Sequence, residues 1–378
     1  MKRNHYVIFV VVVLVIILIV IGVTSKKQME TKIGVLAPLT GDRASYGSSL
    51  INALELAAEE INKKNANSNK AIKLIIEDTG GVSKNAVTAF EKLTSFDKVP
   101  VVIGPMSSTE VLAVAPLAER KQVILFTPSA SSPEISNAGD YIFRNVPSDI
   151  YEGTKLAEVV CNILKVSKIG ILYINNDYGL GVVNTFSEKY VELGGNISSE
   201  VSYNEGVDDF KTYLVKIENS KPTAILYVGY KEIGQAMKNA REMGYNQKFI
   251  STAIFEDPDV LTAAGKAAEG VVFTSITFDP TSDNLRAKEF ANKYEKQFGK
   301  QPDGYAATAY DALHIIAMAI DNAGISKSED IKRALYSIRS FPGLLGSFSF
   351  DDNGDVVLDI TLKTVKDGRF VNYYNNIK

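Results

Sequence analysis

The sequence predicts an α/β protein made of two doubly wound halves. Three observations carry this. Short β-branched runs alternate with longer runs of helical spacing after Thr31. The alternation restarts near Tyr151. A chain of 378 residues also suits two ordinary units better than one very large sheet. Parallel strands need crossover connections, so a βα order implies largely parallel sheets covered by helices.

In the first half, residues 32–37 read as a strand, 38–47 as a loop, and 49–63 as a helix with Leu50, Ala53, Leu54, Ala57 and Ile61 on one face. Residues 71–77 form a second strand and 83–94 a second helix. A strand at 99–103, a helix at 109–120, a strand at 123–126 and a loop ending near Pro147 follow. The second half reads as a helix at 151–164, a strand at 168–174, a helix at 180–193 and a strand at 197–203. It continues with a helix at 209–218, a strand at 224–229, a helix at 232–243 and a strand at 248–253. The tail is mixed: strand-like at 270–277, helical at 285–298, 304–323 and 328–337, then glycine-rich at 341–350. Asp351-Asp352-Asn353-Gly354 is a turn signal before a strand at 356–365. These pieces can complete the earlier sheets without a third domain.

The first thirty residues stand apart. Lys2, Arg3 and His5 precede an unbroken apolar run from Val7 to Ile21, followed by Gly22, Val23, Thr24 and Ser25. Residues 1–30 are therefore an export signal or a membrane anchor. With the positive flank kept inside, either fate places the rest of the chain outside the cytoplasmic membrane, in contact with it if the segment is uncleaved. The single cysteine, Cys161, excludes an intrachain disulfide and an acylated cysteine beside the apolar run; it sits in an apolar-periodic stretch as a core residue.

Composition narrows the function classes. Forty-one basic against 44 acidic residues give a net charge of −3, with no concentrated Lys/Arg patch to bind nucleic acid. No HExxH, repeated CxxC, Walker A lysine or GxGxxG after the first strand is present, so no cofactor, metal or catalytic residue is assigned. His314, the only histidine outside the leading segment, lies on an apolar helix where a core role is expected.

Two loops have receptor chemistry. Gly104-Pro105-Met106-Ser107-Ser108-Thr109 joins a strand to a helix that Ser108 or Thr109 can cap, leaving first-turn N–H groups for a ligand anion. Thr127-Pro128-Ser129-Ala130-Ser131-Ser132-Pro133-Glu134 follows the next strand with several hydroxyls. In open parallel sheets ligands bind beyond the carboxyl ends of the strands, where such loops meet. Tyr46, Tyr178 and Tyr230 each follow a predicted strand and offer an apolar face with a hydroxyl.

Taken together, the pattern resembles the periplasmic leucine/isoleucine/valine-binding protein family of ABC transporter receptors. The residues that carry it are Lys32-Ile-Gly-Val-Leu-Ala-Pro-Leu-Thr-Gly41, Ala44-Ser-Tyr-Gly47, Ala57-Ala-Glu-Glu-Ile-Asn62, Ile103-Gly-Pro-Met-Ser-Ser108 and 127–134. Tyr141-Ile-Phe-Arg-Asn-Val-Pro-Ser-Asp149, Asn176-Asp-Tyr-Gly179 and Gly304-Tyr-Ala-Ala-Thr-Ala-Tyr-Asp311 extend it over the whole exported chain.

The resemblance implies a type I periplasmic binding fold. Two Rossmann-like lobes with parallel-rich sheets would be joined by three crossover segments and close like a clamshell. The first lobe would use 31–148 and 279–350, the second 149–278 and 351–378. Ser108 would bind a ligand carboxylate, and the Ser129 carbonyl with the Ser131 side chain would meet the amino group. Tyr46 would line the first wall, while Tyr178 and Tyr230 close from the other lobe. The protein would present its solute, a branched-chain or other small amino acid, to a membrane permease coupled to an ATPase. A ligand-responsive sensor on the same fold is the competing class.

One position departs from the pattern. Where amino-acid-binding relatives place an acid after the 248–251 strand, this chain has Thr252-Ala253-Ile254. A buried ammonium without a partner is costly. Glu256 and Asp257 are the candidate ammonium partners. Otherwise the ligand is neutral at that end, such as an amide or urea-like compound, or is an organic acid without an amine.

Overall fold

The computed structural model describes residues 29–66, 70–276, 278–279, 284–324 and 327–373. The apolar leading segment lies outside the described residues, apart from Met29 and Glu30, which open the first strand.

The first sheet has five strands: β1 (Met29–Ala37), β2 (Lys70–Asp78), β3 (Val101–Ile103), β4 (Ile124–Thr127) and β5 (Ile142–Arg144). Their order is β2-β1-β3-β4-β5, and every pair is parallel. Helices α1 (Ala44–Lys64), α2 (Ser83–Lys92) and α3 (Ser108–Lys121) make the connections. Because helices cover both faces, β3, β4 and β5 are buried along their whole length, which is why they read as continuous apolar runs. Alternation along β1 divides the core: Ile33 and Val35 join one cluster, Leu36 the cluster on the other face. Strand β5 falls inside the stretch expected to be loop; at three residues it is too short for periodicity to mark.

After α4 (Asp149–Glu158) the second sheet begins with β6 (Lys168–Ile174), α5 (Asp177–Glu192) and β7 (Asn196–Tyr203). It continues with α6 (Lys211–Glu218), β8 (Ala224–Val228), α7 (Glu232–Glu242), β9 (Lys248–Ser251), α8 (Pro258–Ala264) and β10 (Val272–Ile276). The chain then returns to the first lobe. There α9 (Leu285–Phe298), α10 (Gly304–Ala323), α11 (Ser328–Tyr336) and the hairpin β11 (Phe341–Gly343) and β12 (Gly346–Phe348) pack on the cluster that holds Ile33.

It crosses once more, adding β13 (Ile360–Lys366) and β14 (Arg369–Asn372) to the second sheet in antiparallel register, which gives β14-β13-β10-β9-β8-β6-β7. Asp367 and Gly368 both have positive φ, as a two-residue hairpin turn between twisted strands requires. β13 starts at Ile360 and not at the expected Val356, because Val356 and Leu358 are buried in the first lobe's core. The architecture is thus two parallel-rich α/β lobes linked by three passages of chain. Cys161 is half-buried against the second core, and burial raises its thiol above the ordinary range.

At two of these passages, Arg144 and Asp355 meet. Arg144, at the end of β5, is fully buried; its Nε lies 2.6 Å from Asp355 Oδ1 and its Nη2 2.7 Å from Asp355 Oδ2. Nη1 also donates to the Ser132 carbonyl at 2.9 Å. This bidentate pair clamps the last crossing to the loop after β4. Arg144→Met leaves Asp355 buried without its cation and should cost about 3–5 kcal/mol of stability in urea unfolding; a loss under about 1 kcal/mol contradicts the clamp.

His314 behaves as a core histidine. Its ring lies 4.4 Å from that of Tyr310, and burial first, then the Arg286 charge, push it down to about 4. Between its unfolded value near 6.5 and its folded one, only the unfolded chain takes the proton. Stability from this group is full above pH ~6.5 and declines, by up to about 3 kcal/mol, as pH falls toward 4. An NMR titration of the folded protein should place the His314 midpoint near 4; an ordinary midpoint near 6.5 contradicts the burial argument.

Candidate functional site

Both sheets reverse direction at the same place. The first runs β2-β1-β3 and the second β7-β6-β8, so each has a switch point between its first and third strands. Loops leaving the carboxyl ends of those strands diverge there and leave a crevice. The connections after β1 and β3 carry Tyr46 and Ser108; those after β6 and β8 carry Tyr178 and Tyr230.

Tyr46 and Tyr178 do not sit in loops, as expected, but in the first turns of α1 and α5. Each precedes a glycine, and that glycine explains the early helix start. A β-carbon on Gly47 would stand 2.0 Å from the Pro38 carbonyl oxygen, and one on Gly179 1.9 Å from that of Ile174. Only residues without a side chain let these helices begin so close to the strand ends. The preceding tyrosine is thereby held in the crevice.

The two serine loops interlock. Ser107, and not Ser108 or Thr109, is the N-cap of α3: its hydroxyl accepts from Glu110 N at 3.4 Å and donates to Glu110 Oε2 at 2.6 Å. Ser107-x-x-Glu110 is a capping box, so the signal was present one residue earlier. Ser108 is released for other work. Its buried hydroxyl accepts from Ser132 N at 3.2 Å, which leaves its proton to donate. Ser129 Oγ donates to the Met106 carbonyl at 2.7 Å, and the Ser131 carbonyl accepts from Asp149 N at 2.8 Å.

Between the lobes lies a cavity of roughly 590 Å³, with a smaller one of roughly 40 Å³ beside it. Ser129, Ser131, Tyr46, Tyr178, Glu256 and Asp257 line the larger; Ser108 and Tyr230 line the smaller, which shares Tyr46 and Ser129 with it. All eight candidates read from the sequence thus line one or the other of these adjoining cavities. Tyr178 and Tyr230 stack at 5.5 Å, and the Tyr178 hydroxyl is 2.7 Å from Thr252 Oγ1. His314 lines neither cavity.

Three residues that border this space were not singled out. Tyr305, at the start of α10, meets Tyr46 edge-on at 5.4 Å; it stood in the Gly304-Tyr305 motif, a counterpart of the other tyrosine–glycine pairs. Arg43, on the rim, lies 4.4 Å from the Tyr230 ring centroid and pairs with Glu205 of the second lobe. Glu152, on α4, lines the larger cavity, and its Oε1 accepts from Ala253 N at 2.8 Å and from the Thr274 hydroxyl. Asp149 and Glu152, three apart on one helix, were a legible signal for two carboxylates on one face.

The electrostatics are uneven. Burial, and then the Glu152 charge, raise the Asp149 carboxyl well above the usual range; burial also raises Glu152. Glu256 pairs with Lys363 and accepts from the Ser275 hydroxyl, and burial still raises it. Asp257 is likewise raised, first by burial, and caps α8 by accepting from Asp259 N at 2.7 Å. The Tyr46 hydroxyl faces the Asp257 carboxyl, which, after burial, helps hold its own proton. Among the described residues, no group of three or more His, Cys, Asp or Glu side chains is placed to hold a metal ion.

Residues 30–369 match the family model of the periplasmic binding proteins. The leucine-, isoleucine-, valine-, threonine- and alanine-binding protein of Pseudomonas aeruginosa is 26% identical over 328 residues, 86% of this chain and 87% of its own. A leucine-binding protein from Thermotoga maritima superposes with a TM-score of 0.86 at 28% identity, over 90% of this chain and 97% of the other. A solute-binding protein of an ABC transporter from Rhodopseudomonas palustris, in complex with 3,4-dihydroxybenzoic acid, does so at 0.82 and 26%, over 91% and 95%.

Gly179→Ala should displace the first turn of α5 and Tyr178 with it, because the contact made is with backbone and not with a flexible side chain. A stability loss of about 1–3 kcal/mol in urea unfolding is expected. A neutral effect would show that the helix start is not set by this approach.

Proposed function

The chain belongs to the periplasmic binding protein family, and from that premise we propose that it is the extracytoplasmic substrate-binding component of an ABC importer, taking a branched-chain or other small amino acid. The observation that carries this reading is the convergence of four switch-point connections, two from each lobe, on two adjoining cavities that share Tyr46 and Ser129. The first lobe supplies donors: Ser108, the N-terminus of α3, and Ser131 meet a carboxylate and its neighbouring amine, with the Ser129 carbonyl as acceptor. The second lobe supplies Tyr178 and Tyr230 as a cover, opposite Tyr46. Relatives named for leucine and its neighbours support an amino acid.

Capture is a hinge motion and breaks no bond of the solute. The lobes rotate about their three connecting passages, and solute bound by both favours the closed arrangement. Closed contacts across the rim are the Arg43–Glu205 pair, Arg43 on Tyr230, and Lys231 with Asp42 at 3.6 Å. The closed protein then docks on a membrane permease. The apolar segment 1–30 directs export, and holds the protein to the outer face of the membrane where it is retained.

A second reading follows from Ala253. With a methyl where an acid is expected, an amide, a urea-like compound or a small organic acid fits the same donors, and a relative is seen with dihydroxybenzoic acid.

The two readings separate in a thermal-shift screen of the full chain in mild detergent against amino acids, amides, urea and short organic acids. Leucine, isoleucine or valine at a hundred times its Kd should stabilise the protein by about 2.7 kcal/mol. Ser108→Ala or Ser131→Ala should weaken binding about tenfold or more, as expected for a lost hydrogen bond to a charged group. Stabilisation by amides or acids alone selects the second reading, and no response to any of the panel overturns both.

A further inference from the structure

We propose that the end of the first lobe at which its strands begin rests on an anionic phospholipid bilayer, with Phe96 sunk among the headgroups and Lys98, Lys121 and Lys327, around one shallow cavity, set against lipid phosphates. This rests on reading residues 1–30 as a retained membrane anchor. It adds which face of the protein that anchor holds to the lipid.

Topology selects the face. All five strands of the first sheet are parallel, so all begin at one end, the end at which Met29 opens β1. The solute cleft lies beyond the other end. Only seven residues, 22–28, stand between Ile21, the last of the apolar run, and Met29. Fully extended, they reach about 25 Å. An anchor retained in the bilayer therefore keeps this end of the lobe close to the headgroups, and Lys26 and Lys27 in the link bring positive charge of their own.

The same end carries a surface suited to lipid. A shallow cavity of roughly 530 Å³ is lined by Pro100 just before β3, Gln122 before β4 and Tyr141 before β5, which puts it at the strand starts. Lys98, Lys121 and Lys327 line it too. Lys121 is engaged, pairing with Glu91 at 3.0 Å and donating to Ser95 Oγ at 2.9 Å. The one acid in the lining, Glu329, is taken by Lys332 at 3.2 Å and by the Tyr141 hydroxyl. Asp97, the neighbouring acid, does not line the cavity. Lys98 and Lys327 are exposed and have no acidic partner among the described residues.

Phe96 stands on the rim of this cavity, between Ser95 and Lys98, in the turn Leu93–Asp97. At 83% exposure it is the most exposed large apolar side chain among the described residues. Aromatic rings at headgroup level, with lysines whose long stems reach the phosphates, are the composition of a membrane-interfacial patch. One ring beside a polar cavity is too little apolar surface for a stable protein interface. A bilayer that the anchor already brings within reach needs only marginal affinity, because tethering supplies a high effective concentration.

The protein has no tryptophan, so Phe96→Trp gives a single reporter. In the full chain reconstituted in nanodiscs of phosphatidylglycerol and phosphatidylcholine, its emission should shift to the blue and be quenched about twofold by brominated acyl chains, as for a ring about 5–10 Å into the headgroup boundary. Val191→Trp, on α5 of the second lobe and 58% exposed in the native residue, should show neither effect. Adding Lys98→Gln or Lys327→Gln should each move the contact equilibrium about fivefold toward the unquenched form, and nanodiscs of phosphatidylcholine alone should move it the same way. In the unaltered protein, acetylation of Lys98 and Lys327 should be about fivefold slower in the mixed nanodiscs than in phosphatidylcholine, a readout that does not depend on the added tryptophan.

An unquenched Phe96→Trp overturns the proposal. So does equal quenching of Val191→Trp, or quenching indifferent to both lysines and to lipid charge. Inorganic phosphate that protects the two lysines in phosphatidylcholine nanodiscs as well as phosphatidylglycerol does would make the cavity a site for a free anion and overturn the bilayer as its occupant. Removal of the leading segment in cells, read from the mass of the mature chain, overturns it as well and leaves the importer reading standing. That reading falls on the solute panel alone.

Discussion

The cleft depends on one topological constraint. In each lobe the sheet grows to one side of its first strand and then to the other, and the reversal parts the loops at the carboxyl ends. A single sheet of this kind makes a shallow crevice open to water. Two facing each other make an enclosed space, and the three passages of chain set how they face. Tyr46, Ser108, Tyr178 and Tyr230 reach the same space because all four leave first or third strands. The loop after β4, with Ser129 and Ser131, lies next to the third strand and closes the floor.

Once water is excluded, polar groups in this space must find partners in the protein or in the solute. The first-lobe end resolves this with groups that carry no net charge. Hydroxyls and helix-terminal N–H groups are worth about 1 kcal/mol each against water, and more against an anion. The second-lobe end is different. Asp149 and Glu152 carry formal charge, and taking such groups out of water costs several kcal/mol each unless they are protonated or paired. Burial raises both carboxyls and so favours protonation, the first of these. A positive charge beside them is the second.

Much of this was legible in the sequence, and the misses have physical causes. Long amphipathic helices such as 285–298 and 304–323 were placed to the residue, because burial on one face imposes their period. β5 was lost because three residues hold no period. The first turns of α1 and α5 were lost because glycine lowers helix propensity, and nothing local reveals that a strand carbonyl demands it there. The α3 cap was misplaced by one residue although Ser107-x-x-Glu110 spells it out. At the site, hydroxyl-rich loops and tyrosines after strands were visible as chemistry. Asp149 and Glu152 were visible as two carboxylates on one helix face, but the partners of Glu152, Ala253 and Thr274, lie about a hundred residues away along the chain and are adjacent only in the fold.

Closure follows from the same balance of magnitudes. The contacts that join the lobes at the rim each have a solvent-facing partner: Glu205 is 53% exposed against 14% for Arg43, and Lys231 and Asp42 are 41% and 88% exposed. Pairs of this kind contribute at most about 1 kcal/mol each, and salt weakens them further. Arg43 on Tyr230 adds a cation–π contact of similar size. Such a rim orients the lobes without locking them. Moving a population from almost all open to almost all closed takes about 5.5 kcal/mol of preference for the closed state. On the proposed reading that preference comes from the interior, where serine donors on one lobe and tyrosines on the other would engage the same small molecule only when the lobes meet. On that reading, a weak rim and an interior that places a few polar groups in a largely apolar wall are one design: the rim would set the direction of closure, and the solute would supply its free energy.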